Sequence, residues 1–451
     1  MRDEASGARR GAGGLRVEGL SVRLPGQPFP VLSLLELELR PGEVVGVCGR
    51  SGSGKSTLLH AVAGLLPWAR PAEVAGAVSL AGEDVSDLDP GQRAHLLATC
   101  LDRPDSQLFL ATPRHELAAA RRLHGATPLA EAVVAALDVV PLLDRRITGL
   151  SSGERQRVAL AVALAASPRP VLLDEPAVHL DEGGARALAG VLREVRSFGG
   201  SVLVVEQAPW RLVGGVDRWV ELAGGRLRPC AAPGPPGLAA AAATPGAPVL
   251  EARDVTLVRG GRTLLQRASL TVGAGEVVLL TGPNGAGKSS LARALAGHAA
   301  SGGGLALSGG RVRRPSATAL ILPDANVQLF ADSVAAEVGL GGAGPAAAAA
   351  ALARHRLDHL SGRAPWTLSR GERQRLVHAA LDVLQPALLI VDEPGQGLDP
   401  EDLVELARRI GERAREGRAC LIASHRTELA ALAHRSVAIA DRTLVEAGGV
   451  R

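Results

Sequence analysis

Of the 50 lysines and arginines in this chain only two are lysine, Lys55 and Lys288, so a compact ammonium is needed at those two places where arginine's planar fork will not serve. Each lysine closes a glycine-rich segment. The first reads Gly49-Arg50-Ser51-Gly52-Ser53-Gly54-Lys55-Ser56-Thr57, and the second Gly282-Pro283-Asn284-Gly285-Ala286-Gly287-Lys288-Ser289-Ser290. Both fit G-x-x-x-x-G-K-[ST] directly after an apolar run. Glycines let the backbone curl so that its N–H groups and a helix N-terminus point at phosphate oxygens, while the lysine reaches the β- and γ-phosphates. Ser56 and Ser289 are then the Mg²⁺ ligands. A glycine-rich turn explains a single match; two matches that hold the only lysines leave little room for it.

Two further motifs recur. VLLDEP (Val171 to Pro176) and LIVDEP (Leu389 to Pro394) are apolar strands ending in adjacent carboxylates. Behind a phosphate loop, Asp174 and Asp392 would hold Mg²⁺ through water, and Glu175 and Glu393 would orient or deprotonate an attacking water. Without that loop, a core strand ending in solvated acids is the better reading. LSSGERQR (Leu150 to Arg157) and LSRGERQR (Leu368 to Arg375) place glutamate three residues after serine, a capping box that opens an amphipathic helix. A serine hydroxyl, a nearby glycine and unpaired N–H groups also make an anion site there, from Ser151, Ser152 and Gly153 or from Ser369, Arg370 and Gly371.

These motifs come in the same order twice, with the lysines 233 residues apart and the other two motifs each 218 apart. The chain is a duplicated domain. Residues 1–14 read as a disordered tail, 15–229 and 249–451 as the two copies, and 230–248 as a proline-, glycine- and alanine-rich linker. Apolar runs such as Val44–Val47, Val171–Leu173 and Val202–Val205 alternate with helical patterns, the signature of an α/β fold with a mostly parallel buried sheet. Residues 108–149 and 330–367 instead read as helical, one inserted helical subdomain in each copy.

Composition sets the outer limits. With 46% hydrophobic and 21% charged residues over 451 positions, the chain buries sizeable cores and is not broadly disordered. A net charge of +4, with the charges scattered, leaves no stripe for a polyanion, so nucleic acid is not an expected partner. No apolar run reaches the roughly 18 residues that cross a bilayer, so a membrane role goes through a partner and the chain is expected on the cytoplasmic side. Four separated cysteines fit reduced thiols.

Phosphate loop, LSGGQ-like signature and acid-ended strand, in that order in both halves, resemble the nucleotide-binding domains of ABC transporters. The likeness covers roughly residues 15–229 and 249–451. It implies a tandem P-loop NTPase fold and ATP with Mg²⁺. Each nucleotide would lie between one domain's phosphate loop and the other's signature, the two halves pairing with each other or with a second chain. One site would join Lys55, Ser56, Asp174 and Glu175 to Ser369, Arg370 and Gly371; the other would join Lys288, Ser289, Asp392 and Glu393 to Ser151, Ser152 and Gly153. The D-loop positions are His179-Leu180-Asp181 and Gly397-Leu398-Asp399. His425 matches the switch histidine that contacts the γ-phosphate, and the first half has Gln207 there, which implies efficient hydrolysis in the second site and mainly binding in the first. No tyrosine is present to stack on adenine; Leu24 and Arg259 stand at the matching positions.

PDSQLF (Pro104 to Phe109) and DANVQLF (Asp324 to Phe330) resemble a motif of energy-coupling-factor importers, which take up vitamins and transition metals. The resemblance implies a transmembrane subunit and a substrate-binding membrane subunit as partners, and a place at the cytoplasmic face of the membrane. Counting back from the QLF glutamines puts Asp102 and Pro323 where the family carries its Q-loop glutamine. The alternatives are a tandem sugar-importer ATPase, which generally lacks the QLF pattern, and a soluble ribosome-associated ABC factor, which normally carries a long charged linker.

Overall fold

The computed structural model describes residues 14–102, 106–125, 127, 129–165, 169–299, 304–395 and 398–447. The tail up to residue 13, Pro104, Asp105, Gly397 and the last four positions lie outside the described residues. The chain forms two compact units, residues 1–235 and 236–451.

Each unit is built on a six-stranded sheet whose central strands, such as Val44–Cys48, Val171–Asp174, Leu388–Asp392 and Ala419–Ala423, are apolar runs buried along their whole length, as strands covered on both faces must be. In the first unit the order is Arg226–Cys230, Arg218–Ala223, Val44–Cys48, Val202–Val205, Val171–Asp174, Ala98–Cys100, parallel except for the first strand. In the second it is Thr318–Ile321, Leu388–Asp392, Ala419–Ala423, Val277–Thr281, Arg435–Ala440, Thr443–Ala447, again with one antiparallel edge. This order puts the phosphate-loop strand beside Val202–Val205 or Ala419–Ala423, and the acid-ended strand one further on. All the chemistry therefore gathers at one end of each sheet.

A second, antiparallel sheet in each unit was not expected from the apolar runs. It is formed around Leu15–Arg23 in the first unit and around Pro248–Arg259 in the second. Its signal is present in the sequence: Leu32–Leu39, LSLLELEL, alternates buried and exposed side chains over most of its length, as a one-sided strand must. The segments read as helical carry Pro113–His124 and Leu129–Ala136 in the first unit, and Val334–Gly339 and Pro345–Arg354 in the second, with 3₁₀ turns before each signature helix.

The stretch 230–248 is not loose chain. Cys230 ends one strand, Pro248 begins another, and between them Leu238, Ala241 and Ala243 pack on the second unit's core without regular secondary structure. Ala241 N–H donates to Leu432 O, and His434 Nε2 meets Ala243 O at 2.7 Å.

The two units diverge most where the signature helix packs on the helix after the D-loop. In the first unit Leu137, Leu160, Leu164, Val191 and Val195 fill this space, all at most 2% exposed. At the positions 218 residues later stand His355, His378, Asp382, Arg409 and Arg413, of which Asp382 is half-buried and the other four buried. Asp382 takes His355 Nε2 at 2.8 Å and Arg413 Nη1 at 3.0 Å. Arg413 also donates to Pro386 O, and Arg409 to Arg354 O and Glu405. Burial works against the Asp382 carboxylate, yet His355 and Arg413 prevail and hold its pKa at about 2. Burial drives His378 down to about 3, so it is neutral when folded.

An unfolded His378 titrates near its ordinary 6.5. As pH falls below that value the unfolded chain takes up a proton that the folded chain refuses, so stability is lost on the way down to pH about 3. We expect the thermal midpoint of the second unit to fall between pH 6.5 and 4, and His378→Leu, which installs the first unit's residue, to flatten that fall. An equally steep fall in the variant would reject the assignment.

Candidate functional site

In each unit the glycine-rich segment leaves a buried strand and turns into a helix whose first residues are Lys55, Ser56 and Thr57, or Lys288, Ser289 and Ser290. The turn requires glycine: Gly54 and Gly287 have φ of +101° and +108°, and a Cβ on Gly49 would stand 2.5 Å from Leu222 O. Gly52 and Gly285 are likewise left-handed. Both lysines are 5% exposed and fold back onto their own loops. Lys55 Nζ donates to Gly49 O (2.7 Å) and Arg50 O (2.9 Å), and Lys288 Nζ to Gly282 O (2.8 Å) and Pro283 O (3.1 Å). Ser51, Ser53, Asn284 and Ala286 lie in the same loops.

Asp174 and Asp392 end their strands with no exposure at all. Ser289 Oγ donates to Asp392 Oδ1 at 2.8 Å. Asp392 Oδ2 and both Asp174 oxygens lack a well-formed hydrogen bond among the described residues. Burial raises Asp392 to about 6 against the pull of Ser289, and raises Asp174 to about 7 against that of Ser56, with Asp102 and Glu206 adding repulsion. A buried carboxylate with spare lone pairs next to a serine hydroxyl is the oxygen donor set that Mg²⁺ takes, so the residues present fit that ion.

The next residue is strained in both units: Glu175 and Glu393 have φ of +48° and +50°, a region that costs non-glycine residues energy and is kept where function over-determines it. Glu393 Oε2 accepts from Ser424 Oγ at 2.8 Å and lies 3.0 Å from His425 Nδ1, while Oε1 is 3.8 Å from Lys288 Nζ. Burial alone would raise its pKa, but His425, Lys288 and Ser424 outweigh it and keep the carboxylate charged. His425 Nε2 has no partner among the described residues. Glu175 instead receives Gln207 Nε2. In place of Ser424 stands Glu206, 3% exposed, accepting the N–H groups of Ala177, Gln207 and Ala208.

Phosphate loop and acid pair are thus brought together within each unit. The signature residues lie elsewhere, at the start of the helices Ser152–Leu164 and Arg370–Val383. There Ser151 and Ser369 make the expected capping boxes, each accepting a glutamate N–H at 3.3 Å while the glutamate carboxylate takes the serine N–H at 2.7 Å. Asp181 and Asp399 cap the next helices. Arg259 Nη1 reaches Ser290 Oγ at 3.4 Å, which puts the guanidinium beside the second phosphate loop.

The QLF segments are built alike down to single hydrogen bonds. Gln107 accepts Leu101 N–H and Gln328 accepts Leu322 N–H, bracing the end of the neighbouring sheet strand. Phe109 and Phe330 are 80% and 78% exposed. Buried Glu116 takes the N–H groups of Phe109 and Leu110, and Glu337 those of Phe330 and Ala331. The sequence reading missed these two glutamates, although both lie nine residues after the QLF glutamine.

The ABC transporter family model matches residues 32–178 and 265–396. A Streptomyces avermitilis protein described as an ABC transporter ATP-binding protein is 31% identical over 96% of this chain and 93% of its own length. One from Treponema denticola with the same description is 28% identical over 92% and 91%. Among solved structures, an RNase-L inhibitor superposes over 93% of this chain and 87% of its own (TM-score 0.65, 21% identity). A chain in a model of ribosome-bound archaeal Pelota and ABCE1 superposes over 93% and 76% (TM-score 0.71, 21% identity). At such identity these structures report the fold alone.

A carboxylate raised to about 6 penalises the folded state at neutral pH, so without nucleotide Asp392→Asn should stabilise the second unit by about 1–3 kcal/mol at pH 7.5. The same variant should lose the extra stabilisation that MgATP gives. A variant less stable without nucleotide, or one that gains as much from MgATP as the parent, would overturn the metal assignment.

Proposed function

The chain belongs to the ABC transporter family, and from that premise we propose that it is the ATP-hydrolysing subunit of a membrane importer of the energy-coupling-factor type. Members of the family bind and hydrolyse ATP with Mg²⁺, and this chain is such an ATPase. The phosphates are taken by the loop N–H groups and by Lys55 or Lys288, which would leave their own carbonyls for the β- and γ-oxygens. Ser56 with Asp174, or Ser289 with Asp392, would hold Mg²⁺, which would supply charge neutralisation to the bound phosphates. Glu393, kept ionised, accepts a hydrogen bond from the attacking water and aligns it, and His425 Nε2 donates toward the γ-phosphate. Ser151 or Ser369 from the opposing half completes each site, so nucleotide favours the closed arrangement of the two halves.

The observation that carries the transport reading is the pair of bare phenylalanines, Phe109 and Phe330. A ring left about four-fifths exposed at the same position of both copies, on a loop braced by Gln and Glu, is a surface kept for a partner. In this reading the partner is a transmembrane subunit, which works with a substrate-binding membrane subunit and holds the chain at the cytoplasmic face. The substrate class is a vitamin or a transition metal. The relatives described as transporter ATP-binding proteins along more than nine-tenths of this chain support transport in general. A tandem sugar-importer ATPase would fit them equally, but not the QLF surface.

The second reading is a soluble ribosome-associated ABC factor. It is favoured by the superposition of both halves on the chain from the ribosome-bound Pelota and ABCE1 model. Membrane fractionation against ribosome sedimentation, from cells carrying a tagged chain, separates the two. Recovery with membranes, reduced about fivefold or more by Phe109→Ser with Phe330→Ser, supports transport; ATP-dependent recovery with ribosomes, indifferent to both substitutions, supports the other.

Hydrolysis should be unequal between the sites. Glu393→Gln is expected to remove nearly all turnover, on the order of 10²-fold or more, and Glu175→Gln much less, because Gln207 offers no imidazole to the γ-phosphate. Equal losses in a phosphate-release assay would show two equivalent sites.

A further inference from the structure

A short loop, 175–181, leads from the catalytic glutamate of the first unit to the next helix, and in the second unit residues 393–395 leave the glutamate in the same way. The segment carrying Gln207 or His425 lies against it. In the first unit Arg211, in the 3₁₀ helix Pro209–Leu212, donates to the carbonyls of Ala177 and Leu180. In the second Arg426, 9% exposed, donates Nη1 to Gly395 O at 2.6 Å and is oriented by Glu428 at 2.7 Å. Ala177 and Gly395 are the same position of the repeat, 218 residues apart. The arginines are not. The counterpart of Arg211 is Leu429, buried at 1% exposure, and the counterpart of Arg426 is Ala208.

One carbonyl is therefore gripped by a guanidinium in both copies, from positions that duplication alone would not have supplied. The contact has been rebuilt rather than inherited. The surroundings are fitted to it. Gly395 has φ +85°, and a Cβ there would stand 2.9 Å from Arg426 Nη1. In the first unit the partner group of the same residue is tied as well, since Ala177 N–H donates to Glu206 Oε2 at 3.2 Å, and Glu206 Oε1 holds Gln207 N–H and Ala208 N–H. In the second, Ser424 Oγ accepts Arg426 N–H at 3.2 Å and donates to Glu393.

We propose that Arg211 and Arg426 are positioning residues that fasten the switch segment to the loop leaving the catalytic glutamate, so that Gln207 or His425 and that glutamate move as one body. The assignment rests on Glu393 being the residue that aligns water. Charge-assisted bonds to carbonyls in a dry site are strong and directional, which suits them to fix geometry within the tolerance that water alignment demands.

The test is steady-state hydrolysis by the full chain carrying Arg426→Met, which keeps the buried stem and removes every donor. We expect kcat to fall about tenfold or more while KM for ATP stays within about twofold. In a His425→Ala background the same change should cost less than about twofold, because the two residues act through one arrangement. Glu428→Gln, which loses the ion pair and spares the Gly395 contact, should keep most of the turnover. Arg426→Lys, which keeps the charge and forfeits the planar fork, is read in the same cycle, so a methionine variant that fails to fold leaves the test standing. Additive losses in the cycle, a KM that rises with kcat unchanged, or equal losses from Glu428→Gln would overturn the proposal. Glu393→Gln in the same assay reports on the underlying reading: if it keeps turnover, the water-aligning role fails independently of the arginines.

Discussion

A carboxylate shut away from water sets the conditions for the rest of each unit. Asp174 and Asp392 stand at the ends of fully buried parallel strands, raised toward neutrality by desolvation. Such a charge is tolerable only when a cation is delivered to it. Lys55 and Lys288 hold the carbonyls of their own loops, and the pull of Arg293 and Lys288 on Asp392, or of Lys55 on Asp174, does not offset burial. The cation must then come with the ligand, and the neighbouring features follow from that need. A serine hydroxyl is set beside the acid, a glycine-rich turn leaves its N–H groups for phosphate, and a glutamate is forced into left-handed backbone to face the reaction.

The duplication lets the molecule serve as its own control. What both copies keep is the lysine fold-back, the left-handed glutamate, the capping boxes and the braced QLF loop. What they do not share clusters around the left-handed glutamate and behind the signature helix: His425 against Gln207, Ser424 against Glu206, and a polar cluster against an aliphatic one. Divergence that spares the nucleotide cradle and changes its catalytic side is what an unequal division of labour would leave.

Much of this was legible in the sequence because it depends on local chemistry. Lysine is so rare here that Lys55 and Lys288 announce themselves, and a glycine-lysine-serine run has few other uses. The parallel core strands read directly as unbroken apolar runs. The antiparallel sheets were missed because the alternation in Leu15–Arg23 is interrupted where the register shifts, near Gly19. Glu116 and Glu337 were missed because their role is to accept backbone N–H groups, which leaves no motif beyond a spacing. Arg211 and Arg426 escaped for a stronger reason: comparison of the repeats aligns them with Leu429 and Ala208, and only three dimensions bring them to the same carbonyl.

The buried cluster of His355, His378, Asp382, Arg409 and Arg413 also changes how the two halves can age. Leucines and valines in the first unit are interchangeable with one another at small cost, since aliphatic packing has no direction. In the second unit His355, Asp382, Arg409 and Arg413 each answer to a particular partner, and losing Asp382 or Arg413 strands the charge of the other. Genetic drift can therefore wander through the first subdomain one residue at a time, while the second is held to its present set unless several positions change together.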